Sequence, residues 1–557
     1  MVAREIRKQL SPVNDQYDPA KKFEEIIQRF RPARPFGGSG RERSVDKFLK
    51  SVHNVARTYK GSGRAFRILT TAYERFVEGA PAAQITPEQR AETLRTFPEG
   101  PAVEIPIPDI GGGLADSIHF EPDDIAQIIQ RMPDGKGQGP SGLGSTHLRA
   151  IAKQVPSFAG HLARLGNMLI DDVTAVDRVP SLYAYRVQCI PKHMPPQRAV
   201  VVMEGQQQEQ PEQQGQQEGQ DENQQQERPK QKFRPICVQE VFLTVLHRHI
   251  ARRLQDLIPV SEYQYCFRPA GRNKALRRAK KLLEDHKLLQ LDVKNAFGSI
   301  PHAQIIKMLR LRNPGNKVVG YIQRFLNARH SKDLTRIHQG VGVPQGDPMS
   351  MFLFALGVDP VIRKIQDELG EISAYADDIV IALKPEITPQ YAVTRAIEIY
   401  SEIGLEIQPN KCTVTGQQDP VFFLGHPFQE GQPLTIAEHI NKTAKRKLDI
   451  LNHFDGLKRA SAFVMLNRSL VPALNYGPLV ENGDQQDALG YYQDIDRQIL
   501  AALRHVLRLG ADVSDDEIRA FAIAQKCDGG LEFMLPGEYF YVMKNHGDAL
   551  IYGDPSG

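Results

Sequence analysis

The 557-residue sequence predicts an α+β fold, in which antiparallel strands pack against helices. Apolar runs on both sides of Asp377-Asp378 predict a β-hairpin with that pair as its turn. A further apolar run, residues 287–293, predicts a strand that ends at Asp292. Residues 271–287 show helical periodicity, with apolar residues on one side and basic residues elsewhere. Strands and helices are therefore both expected in one continuous stretch of chain.

Three aspartates stand at the ends of these predicted strands. If the strands are neighbours, Asp292, Asp377 and Asp378 meet at one edge of the sheet. Converging carboxylates repel one another and raise each other's pKa, and a divalent cation removes that conflict. Oxygen ligands favour Mg²⁺, with Mn²⁺ as an alternative, and two such ions suit in-line nucleotidyl transfer. An Asp-Asp pair taken alone is also a common exposed turn, so that interpretation stays open.

A glycine-bounded loop lies between the aspartates, at residues 340–350, and precedes the apolar helix predicted at residues 351–362. Glycine lets the backbone and the Gln345 amide approach a base pair or phosphate closely, with Gly346 next to it. The alternative is an ordinary loop at the start of a helix.

Composition excludes several functional classes. The net charge of +4 is small for this length, so a polyanionic partner must be held by local basic patches. Five scattered cysteines without a CxxC pair argue against a zinc finger. The sequence has no apolar run of membrane-spanning length, and residues 1–10 lack an apolar signal core. An intracellular protein without a membrane span is therefore expected.

A low-complexity segment of Gln, Glu and Gly, residues 204–230, is predicted to be disordered because it is too polar to bury surface. Strand-like runs at residues 182–190 and 233–238 flank it. We interpret the two runs as a hairpin with an expanded tip, since a longer loop adds little closure entropy. A linker between independent domains is the alternative.

An ordered series of blocks resembles the reverse transcriptases of non-LTR retrotransposons. The series includes Arg234-Pro235-Ile236, the run that begins at Asp292, Pro344-Gln345-Gly346 and Tyr375-Ala376-Asp377-Asp378. The blocks lie at residues 139–143, 232–236, 264–269, 292–297, 344–348, 375–378, 405–411 and 423–425. One block alone arises easily by chance, but the ordered set is specific. One departure is Cys266, where the family more often has glycine.

The resemblance implies a right-hand polymerase: fingers, a palm with a mixed antiparallel sheet, and a helical thumb, plus a helical N-terminal extension. The expected boundaries are 1–110 for the extension, 111–285 for the fingers, 286–430 for the palm and 431–557 for the thumb.

The resemblance also implies roles for individual residues. Asp292, Asp377 and Asp378 would bind the catalytic metals, with the Val293 carbonyl as a further ligand. Lys411 would protonate the leaving pyrophosphate. The residues implied in dNTP binding are Lys192, Arg234, Arg268, Phe297, Gln345 and Gly346. Phe297, expected on the strand after Asp292, would exclude a 2′-hydroxyl; core packing is its compatible alternative.

Further residues are implied in holding the nucleic acid. Phe423, Leu424 and Gly425 would grip the primer strand. Lys442, Lys445, Arg446 and Lys447 would lie along the duplex, and a solvated helix face is the alternative for these four.

The implied function is an RNA-directed DNA polymerase that uses an RNA template, a DNA or RNA primer and dNTPs, with the nucleus as the family's usual location. No endonuclease motif accompanies it. A catalytically silent, RNA-binding scaffold is one alternative. An RNA-dependent RNA polymerase is another, but Ala376, where that class usually has glycine, and Phe297 both argue against it.

Overall fold

The computed structural model describes residues 5–7, 10, 17–30, 44–57, 62–78, 89, 118–133, 137–172, 174–191, 233–331, 340–416, 420–432, 435–454, 456–481, 487–525, 527 and 530–542. The segment predicted to be disordered and Lys192 lie outside these residues. Among the helices in this part of the chain, none is both long and apolar enough to cross a membrane.

Helices make up most of the described chain. In the first half they are α1 (Pro19–Phe30), α2 (Val45–Ala56), α3 (Ser62–Phe76), α4 (Pro122–Arg131), α5 (Ser145–Gln154), α6 (Phe158–Asp171), α7 (Ala175–Arg178), α8 (Val241–Leu257) and α9 (Gly271–Asp285). In the second half they are α10 (Ala296–Ser299), α11 (His302–Arg312), α12 (Asn316–Ala328), α13 (Ser350–Glu368), α14 (Pro389–Ser401), α15 (Thr435–His453), α16 (Arg459–Met465), α17 (Val471–Leu474), α18 (Tyr476–Glu481), α19 (Ala488–Leu507) and α20 (Asp515–Ile523). The predicted helix at residues 271–287 is confirmed as α9.

The strands are β1 (Ala184–Pro191), β2 (Phe233–Gln239), β3 (Leu288–Leu291), β4 (His330–Ser331), β5 (Gly370–Tyr375), β6 (Asp378–Leu383), β7 (Thr413–Val414), β8 (Val421–Phe423) and β9 (His426–Phe428). Within the described residues they form three sheets, with the orders β2-β1-β4, β5-β6-β3-β7 and β8-β9. All pairs are antiparallel except β1 with β4. The expected mixture of helices and antiparallel sheet is therefore confirmed.

The two strands that flank the low-complexity segment pair with each other. β1 and β2 are antiparallel from Tyr185 opposite Gln239 to Pro191 opposite Phe233. The predicted hairpin is confirmed, since both strands belong to one sheet rather than to two independent domains.

Strand β6 is buried on both faces of the four-stranded sheet, which explains why it is apolar without alternation after Asp378. In β6, Ile379, Ile381 and Leu383 join one hydrophobic cluster, while Val380 and Ala382 join a second. The carboxylates of Asp377 and Asp378 are left at the tip of the hairpin, because the side chains of β6 beyond Asp378 face one core or the other.

The helices near the N-terminus pack on two different parts of the chain. Helix α1 packs against α6 and the turn Pro180–Tyr183, whereas α2 and α3 pack against α16, and α3 also packs against α15. His53 Nδ1 of α2 lies 2.8 Å from the Ser461 hydroxyl of α16. Helices α2 and α3 therefore share a core with the C-terminal helices.

Candidate active site

The hairpin of β5 and β6 carries two of the three predicted aspartates. Tyr375 pairs with Asp378, so the turn between the strands consists of Ala376 and Asp377. The prediction that Asp377 and Asp378 form the turn is wrong by one residue, because Asp378 already belongs to the β6 ladder. Ala376 has a φ of 57°, a left-handed conformation common in two-residue hairpin turns.

The third aspartate reaches the same edge through strand register. Leu291, the last residue of β3, pairs with Ile379 of β6. The antiparallel register therefore places Asp292 opposite Asp378. Asp377 and Asp378 are exposed, and the Asp292 side chain is 37% exposed. The strands at whose ends the aspartates stand are buried, but the carboxylates themselves open to solvent.

The donor set at this edge consists of oxygen atoms, which fits a hard divalent cation. In the residues that the structure describes, no three His, Cys, Asp or Glu side chains are arranged as a ready-made metal site. Mg²⁺ is commonly bound by one or two carboxylates together with waters and substrate phosphates. The arrangement therefore fits a cation whose coordination is completed by substrate rather than by the protein alone.

Lys411 lies beside Asp292. Its Nζ is 3.4 Å from Asp292 Oδ2, and it also contacts the Gln408 side chain. The backbone amide of Gln408 donates to the Asp292 carbonyl over 2.8 Å, which ties the short helical turn of Lys411 to the end of β3. Lys411, with an implied role in protonating the pyrophosphate, and Asp292, with an implied role in metal binding, therefore lie together at one edge of the sheet.

Phe297 lies in the short helix α10 rather than on a strand, so that part of the prediction is wrong. Asn295, with a φ of 46°, turns the chain immediately before α10. The Phe297 ring is half-buried and stacks on Phe354, with ring centroids 4.6 Å apart. Core packing and a pocket-lining role are therefore compatible for this side chain.

The glycine-bounded loop is hydrogen-bonded to two other predicted segments. Val343 N donates to the Phe297 carbonyl over 2.7 Å, and Cys237 N of β2 donates to the Gln345 carbonyl over 2.8 Å. Gly346 has a φ of 124°, and a Cβ at this position would lie 2.6 Å from the Cys237 carbonyl oxygen. The backbone approach between the loop and β2 therefore requires glycine here.

A buried network beneath this loop was missed by sequence reasoning. Asp347 Oδ2 lies 2.6 Å from His247 Nδ1, and His247 Nε2 lies 2.8 Å from the Tyr321 hydroxyl. Asp347 Oδ1 also accepts from Met349 N over 2.7 Å. His247 follows the apolar first turns of α8, and no local pattern in the sequence marks it as the partner of a residue 100 positions away.

The two described arginines with implied dNTP-binding roles are both exposed. Arg234 is on β2, three residues before Cys237, whose backbone amide binds the loop. Arg268 follows a short 3₁₀ turn, with its guanidinium carbon 5.3 Å from the centre of the Tyr265 ring. Both side chains are accessible to an anionic ligand.

The hairpin of β8 and β9 contains the residues with an implied primer-gripping role. Phe423 is buried, while Leu424 and Gly425 form a two-residue turn with φ values of 50° and 81°. Arg272 of α9 donates to the Leu424 carbonyl over 2.7 Å and lies 4.5 Å from the centre of the Tyr476 ring. This arginine thus joins the turn to both α9 and α18.

The four basic residues of α15 are not equivalent. Lys442, Lys445 and Arg446 are exposed, but Arg446 forms ion pairs with Glu78, at 3.2 Å, and with Glu74, at 3.8 Å. Lys447 is half-buried, and burial lowers its pKa. The two lysines Lys442 and Lys445 are therefore the more available pair for a phosphate backbone.

The stretch of chain that contains most of these residues matches a known protein family. Residues 221–428 match the family model described as reverse transcriptase (RNA-dependent DNA polymerase). The match includes the three aspartates, the glycine-bounded loop, Lys411 and the hairpin of β8 and β9.

Similar proteins come from R2 retrotransposable elements. The Pol polyprotein of the type-2 element R2DM of Drosophila melanogaster is 28% identical over 212 residues, which are 34% of this chain and 20% of that protein. The Pol polyprotein of a type-1 element R2 of Nasonia vitripennis is 29% identical over 239 residues, 38% of this chain and 23% of that protein. The aligned part thus spans about a fifth of the length of these relatives.

Proposed function

Residues 221–428 form a reverse-transcriptase domain of the non-LTR type, and from this premise we propose that the protein extends a primer with dNTPs on an RNA template. The observation that carries the proposal is the register of β3 and β6, which sets Asp292 opposite Asp378 beside the Asp377 turn. A nucleotidyl transferase needs carboxylates at such an accessible edge, where a primer terminus and a triphosphate can both approach.

The right-hand layout is part of the proposal. The β5-β6-β3-β7 sheet is the palm, within residues 286–430, and residues 111–285 are the fingers. The helical region 431–557 is the thumb, and residues 1–110 are an N-terminal extension. The packing of α2 and α3 on α16 supports an extension that buttresses the thumb.

Asp292, Asp377 and Asp378, with the Val293 carbonyl, would hold divalent cations, Mg²⁺ or Mn²⁺. When bound, such ions supply the positive charge that activates the primer hydroxyl and stabilises the pyrophosphate leaving group. Lys411 is exposed and 3.4 Å from Asp292, so its ammonium group can donate a proton to a leaving group at this edge.

The nucleotide would bind against the segments joined by the glycine-bounded loop. Arg234 and Arg268, with Lys192, would bind the triphosphate, since guanidinium groups form paired hydrogen bonds with phosphate oxygens. Phe297 would contact the sugar and exclude a 2′-hydroxyl, while Gln345 and Gly346 would shape the template pocket.

The nucleic acid would be held by the hairpin of β8 and β9 and by α15. The turn of Phe423, Leu424 and Gly425 would contact the primer through Leu424 and Gly425, since the Phe423 side chain is buried. Lys442 and Lys445 would contact the phosphate backbone, with Arg446 and Lys447 contributing less because of their pairing and burial. A nuclear location follows from the family resemblance alone and belongs to the same proposal.

Primer extension on poly(rA)/oligo(dT) with Mg²⁺ or Mn²⁺ tests the function. We expect incorporation of dTTP over UTP, and a loss on the order of 10³-fold or more in Asp377→Asn, which keeps the shape of the turn but removes a ligand charge. Asp367→Asn is the matched control, since Asp367 is an exposed aspartate of α13 away from the turn. Preference for UTP would indicate an RNA polymerase. Tight duplex binding without incorporation would indicate a silent scaffold.

A further inference from the structure

The turn that carries Asp377 is held by a side chain from a distant part of the sequence. Gln264 Oε1 accepts from the Ala376 backbone amide over 2.7 Å, and Gln264 Nε2 donates to the Ala376 carbonyl over 3.2 Å. The two residues are 112 positions apart. One side-chain amide thus satisfies both backbone polar groups of one turn residue.

Ala376 needs such a partner for two reasons. Its φ of 57° is unfavourable for a residue with a Cβ, so the isolated turn tends to leave this conformation. The residue is also buried, at 5% exposed, so its amide and carbonyl have little access to water. The Gln264 amide compensates both costs without contacting the carboxylates.

Gln264 is also held in place by contacts outside the Ala376–Asp377 turn. It is 2% exposed, and its backbone amide donates to the Ser261 carbonyl over 3.0 Å. Ser261 N in turn donates to the buried Asp359 Oδ1 over 2.5 Å. Beside it, the Tyr263 carbonyl accepts from Ala374 N of β5 over 3.0 Å. The glutamine therefore presents its amide from a rigid support that also contacts the hairpin strand.

We propose that Gln264 is a positioning residue, which holds the Ala376–Asp377 turn so that Asp377 and Asp378 keep their place beside Asp292. This inference rests on the proposed polymerase function. Gln264 does not touch the reacting groups, so its loss should slow the chemical step without weakening the binding of dNTP or primer–template. A misplacement of about 1 Å at a catalytic group costs on the order of 10²-fold in rate.

The first arm of the test measures kcat and KM for dTTP in Gln264→Met, which keeps the length of the side chain but removes both hydrogen bonds. We expect kcat to fall about 10²-fold, with KM and duplex affinity within about twofold. Gln264→Asn, which keeps the amide but shortens its reach, should show a smaller loss of the same kind and serves as the milder variant.

Gln366→Leu is the matched control. Gln366 Oε1 accepts from Ile372 N at 2.9 Å, so it makes the same type of bond to the same strand, but at the end away from the turn. We expect its kcat to stay within about threefold of the unmodified protein, because the turn is not affected.

The second arm asks whether the loss operates through the backbone of Ala376. Ala376→Gly removes the penalty of the left-handed conformation, so it should restore about tenfold of the rate lost in Gln264→Met. Hydrogen exchange of the Ala376 amide should be faster in Gln264→Met and unchanged in Gln366→Leu. A merely destabilised core would show neither the rescue nor the localised exchange.

The outcomes distinguish a failure of the positioning role of Gln264 from a failure of the proposed polymerase function. If the unmodified protein does not extend primers, the proposed function fails, and the exchange of the Ala376 amide alone decides whether Gln264 holds the turn. The inference is overturned if Gln264→Met keeps the kcat of the unmodified protein, if Ala376→Gly restores nothing, or if the Ala376 amide exchanges at the same rate in all variants.

Discussion

Replacement of Gly346 by alanine should damage both the stability of the protein and its binding of dNTP. The new Cβ would lie 2.6 Å from the Cys237 carbonyl oxygen, which belongs to the backbone and cannot rotate away. Relief to an ordinary contact needs a displacement of about 0.8 Å between the loop and β2. Such a shift lengthens the Cys237–Gln345 hydrogen bond from 2.8 Å to about 3.6 Å, beyond hydrogen-bonding range.

The cost can be estimated from these contacts. A lost backbone hydrogen bond costs about 0.5–1.5 kcal/mol, and a non-glycine residue at a φ of 124° costs about 1–3 kcal/mol. Together they lower the free energy of unfolding by about 1.5–4.5 kcal/mol, or, for the unfolding entropy of a 557-residue protein, the melting temperature by roughly 1–4 °C. Because Gln345 moves with the loop, KM for dNTP should rise about 10–100-fold.

Thermal unfolding and steady-state primer extension measure the two effects. Gly160→Ala is the control, because Gly160 lies in α6 and a Cβ there meets no atom within 4 Å. This change should stabilise the protein by about 0.5–1 kcal/mol. A Gly346→Ala protein that melts and binds dNTP as the unmodified protein does would refute the close approach of loop and strand.

Three further changes address other contacts. Phe297→Val, which shortens the side chain stacked on Phe354, should reduce the preference for dTTP over UTP about 10–100-fold in kcat/KM; an unchanged ratio would exclude a steric role. Asp347→Ala leaves His247 without its 2.6 Å partner, so it should lower the free energy of unfolding by about 2–4 kcal/mol, which chemical denaturation would detect. Burial lowers the pKa of His426 from 6.5 to about 3, so the unfolded chain takes up a proton that the folded protein excludes, and stability falls as pH drops from 6.5 towards 3. From pH 7.5 to 5.5 His426 should contribute a loss of about 1.4 kcal/mol, which should be absent in His426→Phe, while the similar loss from His302, whose pKa burial also lowers to about 3, should remain; melting curves with the same pH dependence in both proteins would contradict this.

The strands and helices of the hairpin region were predictable because their signals are local. The apolar runs on both sides of Asp377 and Asp378 appear in the structure as the paired strands β5 and β6, as expected. The predicted turn was one residue too far along the chain, because aspartate is favoured in turns and both aspartates were assigned to it. In the structure Asp378 pairs with Tyr375, so the turn consists of Ala376 and Asp377.

The sequence by itself determined the order of the motifs, the residue types at the candidate site and the apolar strands, because these depend on neighbours in the chain. Tertiary structure alone decided that Asp292 lies opposite Asp378, that Arg446 is paired with Glu78, and that His247 and Gln264 bind Asp347 and the Ala376 backbone, respectively. A buried polar side chain is specified by its partner, and the partner here is 100 or more residues away. Periodicity and propensity carry no record of such pairings, since they arise only when packing removes both groups from water.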